Sequence, residues 1–261
     1  LNASGGLKHV KSSAGGISLS ATDNGDVVGV AGTVAVAVGV GTGTGATVAI
    51  AAGVSVVLND IGADSGSSIR SYIDGSTVES AGPISLSSVS NVHVIGVGVA
   101  GSVSVAAGTG PGLSGAFAGA GVGGRNTMEI EIESSIKNFS TVTANNGTTM
   151  LNDSITLTAQ DNSEFDADAV GASVAVGASL AGNAGAIAVG FAVALNKADN
   201  NVIAQIHQSF VTADSGSVTL TASEDADIAA VAVAATISVG ASAAMSGLAI
   251  SGGGAIALNS S

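Results

Sequence analysis

Nine of the 19 acidic residues fall in three short segments: Asp23 and Asp26; Asp161, Glu164, Asp166 and Asp168; and Glu224, Asp225 and Asp227. Carboxylates are hard oxygen ligands, and such segments stacked one above another could share a hard cation, with Ca²⁺ the ion expected. Each follows directly on a short alternating stretch, as in Ile17-Ser18-Leu19, Ile155-Thr156-Leu157 and Val218-Thr219-Leu220. The matching place after Ile84-Ser85-Leu86 reads Ser88-Val89-Ser90-Asn91 and carries no carboxylate. The same acids could equally form a solvated edge that keeps strands soluble and blocks lateral pairing.

Asn59, Asn126, Asn196 and Asn259 each close a long apolar run. A side-chain amide at a strand end can bond local backbone and stack with its copies, so these four are expected to form a structural ladder. Little else offers chemistry. His9, His93 and His207 are far apart, have no neighbouring Glu or second His, and do not recur in register. No serine nucleophile elbow or zinc-binding helix is visible. Gly96, Gly98 and Gly101 match a dinucleotide fingerprint in spacing, but no amphipathic helix and no acid about twenty residues on accompany them. Gly41-Thr42-Gly43-Thr44-Gly45 lacks the Lys-Ser/Thr of a phosphate loop and reads as a turn between strands. Paired carboxylates could suggest glycan cleavage, yet the aromatic platforms that such enzymes use are nearly absent. No catalytic residue and no enzymatic activity are therefore expected. Asn-Xaa-Ser/Thr sequons at Asn2, Asn138, Asn146, Asn152 and Asn259 arise readily in a Ser/Thr-rich chain.

The elements that would position these residues repeat. Ile17, Ile84, Ile155 and Val218 recur at 67, 71 and 63 residues, and the four asparagines run in step with them. Between the markers the same order returns: alternating strand, polar turn, long apolar tract, Asn, then a segment such as Ser71-Tyr72-Ile73-Asp74-Gly75-Ser76-Thr77-Val78. The expected divisions are the end of a preceding repeat at 1–16, repeats at 17–83, 84–154 and 155–217, and an incomplete repeat at 218–261. An insertion from Asn145 to Asp153 marks the second repeat. The chain opens on Leu1-Asn2 and ends in Leu258-Asn259, one phase of the unit, as expected of a piece of a longer array or of a subunit that continues head to tail.

Gly accounts for 39 of 261 residues and aromatics for 2%, while 46% of residues are hydrophobic. A core of such small side chains brings backbones together, and Val beside Gly favours strands. The apolar tracts could be transmembrane helices on hydropathy alone, but Val34-Ala35-Val36-Ala37-Val38-Gly39-Val40 alternates with period two and lacks aromatic or basic flanks. An outer-membrane barrel would carry aromatic girdles and a polar lumen. Strands apolar on both faces are instead expected to lie between layers. The expected fold is all-β, a parallel β-solenoid of about four repeats of 63–71 residues.

A net charge of −13, with only 6 Lys and Arg, argues against nucleic acid or an anionic membrane as partner. The absence of Cys excludes a disulfide scaffold. The run Ile17-Ser18-Leu19-Ser20-Ala21, the turn Thr22-Asp23-Asn24, a Gly-Ala-Val tract ending in Leu58-Asn59, and Tyr72-Ile73-Asp74-Gly75-Ser76-Thr77-Val78 together resemble the β-strand repeats of giant bacterial surface proteins of the adhesin or hemagglutinin-like kind. The resemblance spans essentially the whole chain and implies a secreted, cell-surface β-solenoid serving as stalk, adhesin or matrix. A structural module that associates with copies of itself, head to tail and laterally, into a filament, tube or stalk is the expected function. A Ca²⁺-assisted module adhering to a surface glycan or protein is the alternative.

Overall fold

β-branched Val and Ile alternate with Gly, Ala and Ser along most of the chain, a pattern that favours extended backbone and offers no helical stripe. The computed structural model describes residues 8–62, 66–144 and 153–261, and among these residues it contains strands and no helix. β1 (Lys8–Ser12) precedes the first full coil, which runs β2 (Ile17–Asp23), β3 (Asp26–Gly41), β4 (Thr47–Ile61), β5 (Ser68–Asp74) and β6 (Ser76–Ser80). The second coil is β7 (Ile84–Ser90), β8 (His93–Gly108), β9 (Ser114–Met128), β10 (Glu131–Lys137) and β11 (Thr141–Ala144). The third is β12 (Ile155–Asp161), β13 (Glu164–Ser179), β14 (Ala184–Ala198), β15 (Asn201–Ile206) and β16 (Phe210–Ala213). The fourth comprises β17 (Val218–Glu224), β18 (Asp227–Ser242) and β19 (Gly247–Ser260).

Each strand pairs in parallel with its equivalent in the coil before and after, giving five sheets ordered β2-β7-β12-β17, β3-β8-β13-β18, β4-β9-β14-β19, β5-β10-β15 and β1-β6-β11-β16. This is a parallel β-solenoid of about four repeats. Ile17, Ile84, Ile155 and Val218 stand in one column, so the expected divisions at 17, 84, 155 and 218 are the first residues of β2, β7, β12 and β17. Of the insertion at 145–153, all but Asp153 lies outside the described residues, as do Asn2 and the sequons at Asn146 and Asn152.

A coil has two parts. In the body, three walls enclose Ile73, Val78, Ile84, Leu86, Ile136, Val142, Ile155 and Leu157, all fully buried. The corners between the fourth and fifth strands of each coil use left-handed backbone at Gly75, Asn138, Phe139 and Gln208. There Ser76, Ser140 and Ser209 bond the carbonyls of Asp74, Lys137 and His207 in their own turns. The backbone N–H groups of Ser76 and Ser140 then donate to the hydroxyl one coil up.

From the body projects a two-layer arm, in which strands of 14 to 16 residues run out, turn at 42–46, 109–113, 180–183 or 243–246, and return. At about 3.3 Å per residue the arm extends roughly 50 Å. Its interior is nearly all alanine, glycine and serine, with Ala106, Ala116, Ala175, Ala186, Ala188, Ala192 and Ala194 fully or almost fully buried. The layers approach so closely that a Cβ on Gly53 would lie 2.6 Å from the Gly101 carbonyl oxygen, and one on Gly171 3.0 Å from that of Phe191. A phenylalanine, Phe165, seals the junction of arm and body with Val94, Met128 and Ile132.

The expectation that the long strands bury both faces is corrected. Only the small residues point inward; Val28, Val36, Val38, Ile50, Val54, Val189 and Phe191 face outward and are exposed. Neighbouring coils cover a strand's edges, not its faces, so period-two alternation sends every second side chain out of the solenoid.

Candidate functional site: the acidic turn and the faces of the arm

The acids singled out in the sequence stand at the base of the arm, at or just beyond the turn from the first to the second strand of each coil, but they do not converge on one point. Parallel stacking sorts them into columns. Asp23, Ser90, Asp161 and Glu224 form one; Asp26, His93, Glu164 and Asp227 form another. Between these columns Asn91 donates to Asn24 at 2.7 Å and Asn162 donates to Asn91 at 2.9 Å, with Asp225 next above. Asp166 and Asp168 lie farther out along β13, on its outer face.

These carboxylates differ in what they can still do. Asp161 is fully buried: one oxygen accepts from the backbone N–H and hydroxyl of Ser163, the other from Asn200 at 2.6 Å. It is a turn residue, saturated by its own fold. Asp23, itself exposed, accepts the Gly25 N–H at 3.0 Å in the equivalent turn. Glu164, Asp166 and Asp227 remain open to a ligand.

His93, which has no partner along the sequence, acquires three through stacking. Its Nδ1 lies 3.8 Å from Asp26 in the coil below, and its Nε2 lies 3.6 Å from Glu164 and 4.0 Å from Asp166 in the coil above. It occupies the position that carries an acid in the other three coils. Alignment of the second repeat with its neighbours is the signal that finds it.

The four asparagines closing the apolar tracts stand in one column, largely buried except at the end of the stack. Asn59 donates to Asn126 at 2.9 Å, Asn126 to Asn196 at 2.9 Å, and Asn196 to Asn259 at 3.2 Å. Asn59 and Asn126 also donate to the carbonyls of Ile95 and Asp166 across the arm, and Asn259, at the end of the ladder, donates to that of Ile228. The column thus ties coil to coil and layer to layer where the arm leaves the body.

Elsewhere the body carries ion pairs. Glu133 is buried among Arg70, Lys137 and Gln205. Burial alone would raise its pKa, but the surrounding donors, Ser135 and Lys137 foremost, outweigh that and hold it below the ordinary value. Glu79 is also held low, chiefly by its hydrogen bond from Lys11. Gly96, Gly98 and Gly101 lie within the extended β8 and form no phosphate loop, and the run from Gly41 to Gly45 is the tip of the arm.

The largest uncommitted surface is the arm itself. On one face Val36, Val103, Val174 and Ile237 stack in register, beside Val38, Val105, Val176 and Val239. On the other, Ile50 and Phe117 continue into Ile187 and Ile250. Val189 is 54% exposed and Phe191 47% in an internal coil, so their exposure is not an end effect. Charged side chains on the arm strands, Asp60, Arg125 and Lys197 among them, all sit near the body; the outer part is uncharged. No family model, no curated protein and no solved structure matches this chain.

Proposed function

We propose that this chain is a structural repeat module of an extracellular, cell-surface bacterial protein, and that it associates with copies of itself into a filament, tube or stalk. The observation that carries this reading is the pair of exposed apolar faces on the arm. A monomer rarely leaves apolar patches beyond a few hundred Å² uncovered. Four strands of this length spaced about 4.8 Å apart present roughly 1,000 Å² per face, against the ~800 Å² per partner of a standard stable interface. A second arm, with matching ladders of Val and Ile, is the occupant that fits.

Lipid fits less well, because a lipid-facing β-surface carries aromatic girdles and the outward faces of the arm strands hold only Phe117 and Phe191 as aromatics. The resemblance to surface-protein repeats points to the same setting of long arrays outside the cell.

Sedimentation and electron microscopy of detergent-free protein test the proposal, with Val103→Lys/Val174→Lys as the probe of one arm face. Ordered assemblies of wild type that fall apart to single rods in the double variant are the expected result. Wild type that stays monomeric at all concentrations, or floats with lipid vesicles instead of assembling, overturns it. Loss of assemblies on adding a chelator would transfer the role to the acidic turns.

A further inference from the structure

We propose that His93, Glu164 and Asp166 bind a divalent transition-metal ion of the Zn²⁺ class, stapling the second coil to the third. The three side chains offer one nitrogen and two carboxylate oxygens, all within 4.8 Å of one another. His93 Nε2 is buried and has no hydrogen-bond partner. It faces Glu164 and Asp166 at 3.6 and 4.0 Å, and ionised carboxylates can only accept. Those separations are too long for hydrogen bonds. They are the separations of two ligands on one ion, since atoms each about 2.1 Å from a shared metal stand roughly 3–4 Å apart.

Charge supports the same assignment. Asp26 and Asp227 flank His93 and Glu164 in their column, and Asp168 follows Asp166 on the same outer face of β13. No Lys or Arg forms an ion pair with any of these carboxylates among the described residues: Lys11, Arg70, Arg125, Lys137 and Lys197 pair with acids elsewhere. Asp26 lies 3.8 Å from Nδ1, too far for a hydrogen bond, and adds a third negative charge beside the imidazole. The imidazole selects the class of ion, because Ca²⁺ takes oxygen ligands while nitrogen with carboxylate suits Zn²⁺ and its neighbours. The site is independent of whether arms pair.

Calorimetric titration of the chelator-stripped chain with Zn²⁺, and separately with Ca²⁺, tests it, using His93→Asn beside a His207→Asn control. One Zn²⁺ site weakened about tenfold or more by H93N and left unchanged by H207N is expected. Its occupation should raise the unfolding midpoint of wild type and not of H93N, because a ligand held only by the folded state stabilises it. The imidazole ¹⁵N signal of His93 should move on adding Zn²⁺. Identical titrations of wild type and H93N, or a His93 signal that never responds to metal, would overturn the assignment.

Discussion

At the scale of single residues, the molecule places its polar side chains where one coil must register with the next. Asn126 is the clearest case: fully buried, it accepts from Asn59 and donates to Asn196 and to the Asp166 carbonyl. Asn126→Ala removes three hydrogen bonds and strands partners inside the fold, so a loss of about 1–3 kcal/mol is expected. The same change at Asn259, whose ladder bond to Asn196 lies at the end of the stack, should cost well under that. Urea unfolding of both variants, with unchanged slope, measures the difference; equal costs would show that the ladder carries no stability of its own. The asparagine column was legible in the sequence because one residue type recurs at one phase. The surroundings of His93 were not. Its partners lie about one coil away in either direction, and only the parallel register, one strand spacing of about 4.8 Å, turns that sequence distance into contact.

At the scale of elements, the arm inverts the usual placing of bulk, with glycine and alanine inside and valine, isoleucine and phenylalanine outside. Period-two alternation in the sequence announced strands and their coil-to-coil register, and the Gly41 to Gly45 run announced a turn. It did not say which of two apolar faces would be interior, since both lack charge over the outer arm. Steric detail decides that: inward glycines meet the opposite layer's backbone, as Gly53 meets Gly101, whereas a Cβ on Gly119, on the outer face, would meet nothing within 4 Å. Gly53→Val should therefore force the layers apart, at about 1–3 kcal/mol, while Gly119→Val should stay within about 0.5 kcal/mol of wild type. Hydrogen exchange resolved by segment reads this directly. Protection should fall along β3, β4, β8 and β9 in the Gly53 variant and persist in the body, whose separate core of Ile73, Leu86, Ile136 and Leu157 is untouched. Uniform loss across the body would mean that arm and body fold as one unit.

At the scale of the whole molecule, each coil touches only its neighbours, so stability is a sum of coil and interface contributions and depends on position in the stack. Leu157 in the third coil and Leu220 in the fourth are register partners with the same chemistry, yet Leu157 is fully buried and Leu220 is 42% exposed. In dilute solution Leu157→Ala should cost about 2–5 kcal/mol and Leu220→Ala distinctly less, because its transfer and cavity contributions are both reduced at an open end. End-to-end association changes that comparison. A further coil laid on β17 encloses Leu220 as β17 encloses Leu157, so the cost of Leu220→Ala should climb towards that of Leu157→Ala as protein concentration rises, by mass action. Lateral pairing of arms leaves the β17 edge open and predicts no such climb. Chemical unfolding of the two variants across a hundredfold range of concentration therefore separates the two modes of assembly: a Leu220 cost that stays low throughout, in samples where microscopy shows assemblies, would assign those assemblies to the arm faces and exclude continuation of the stack through its strand edges.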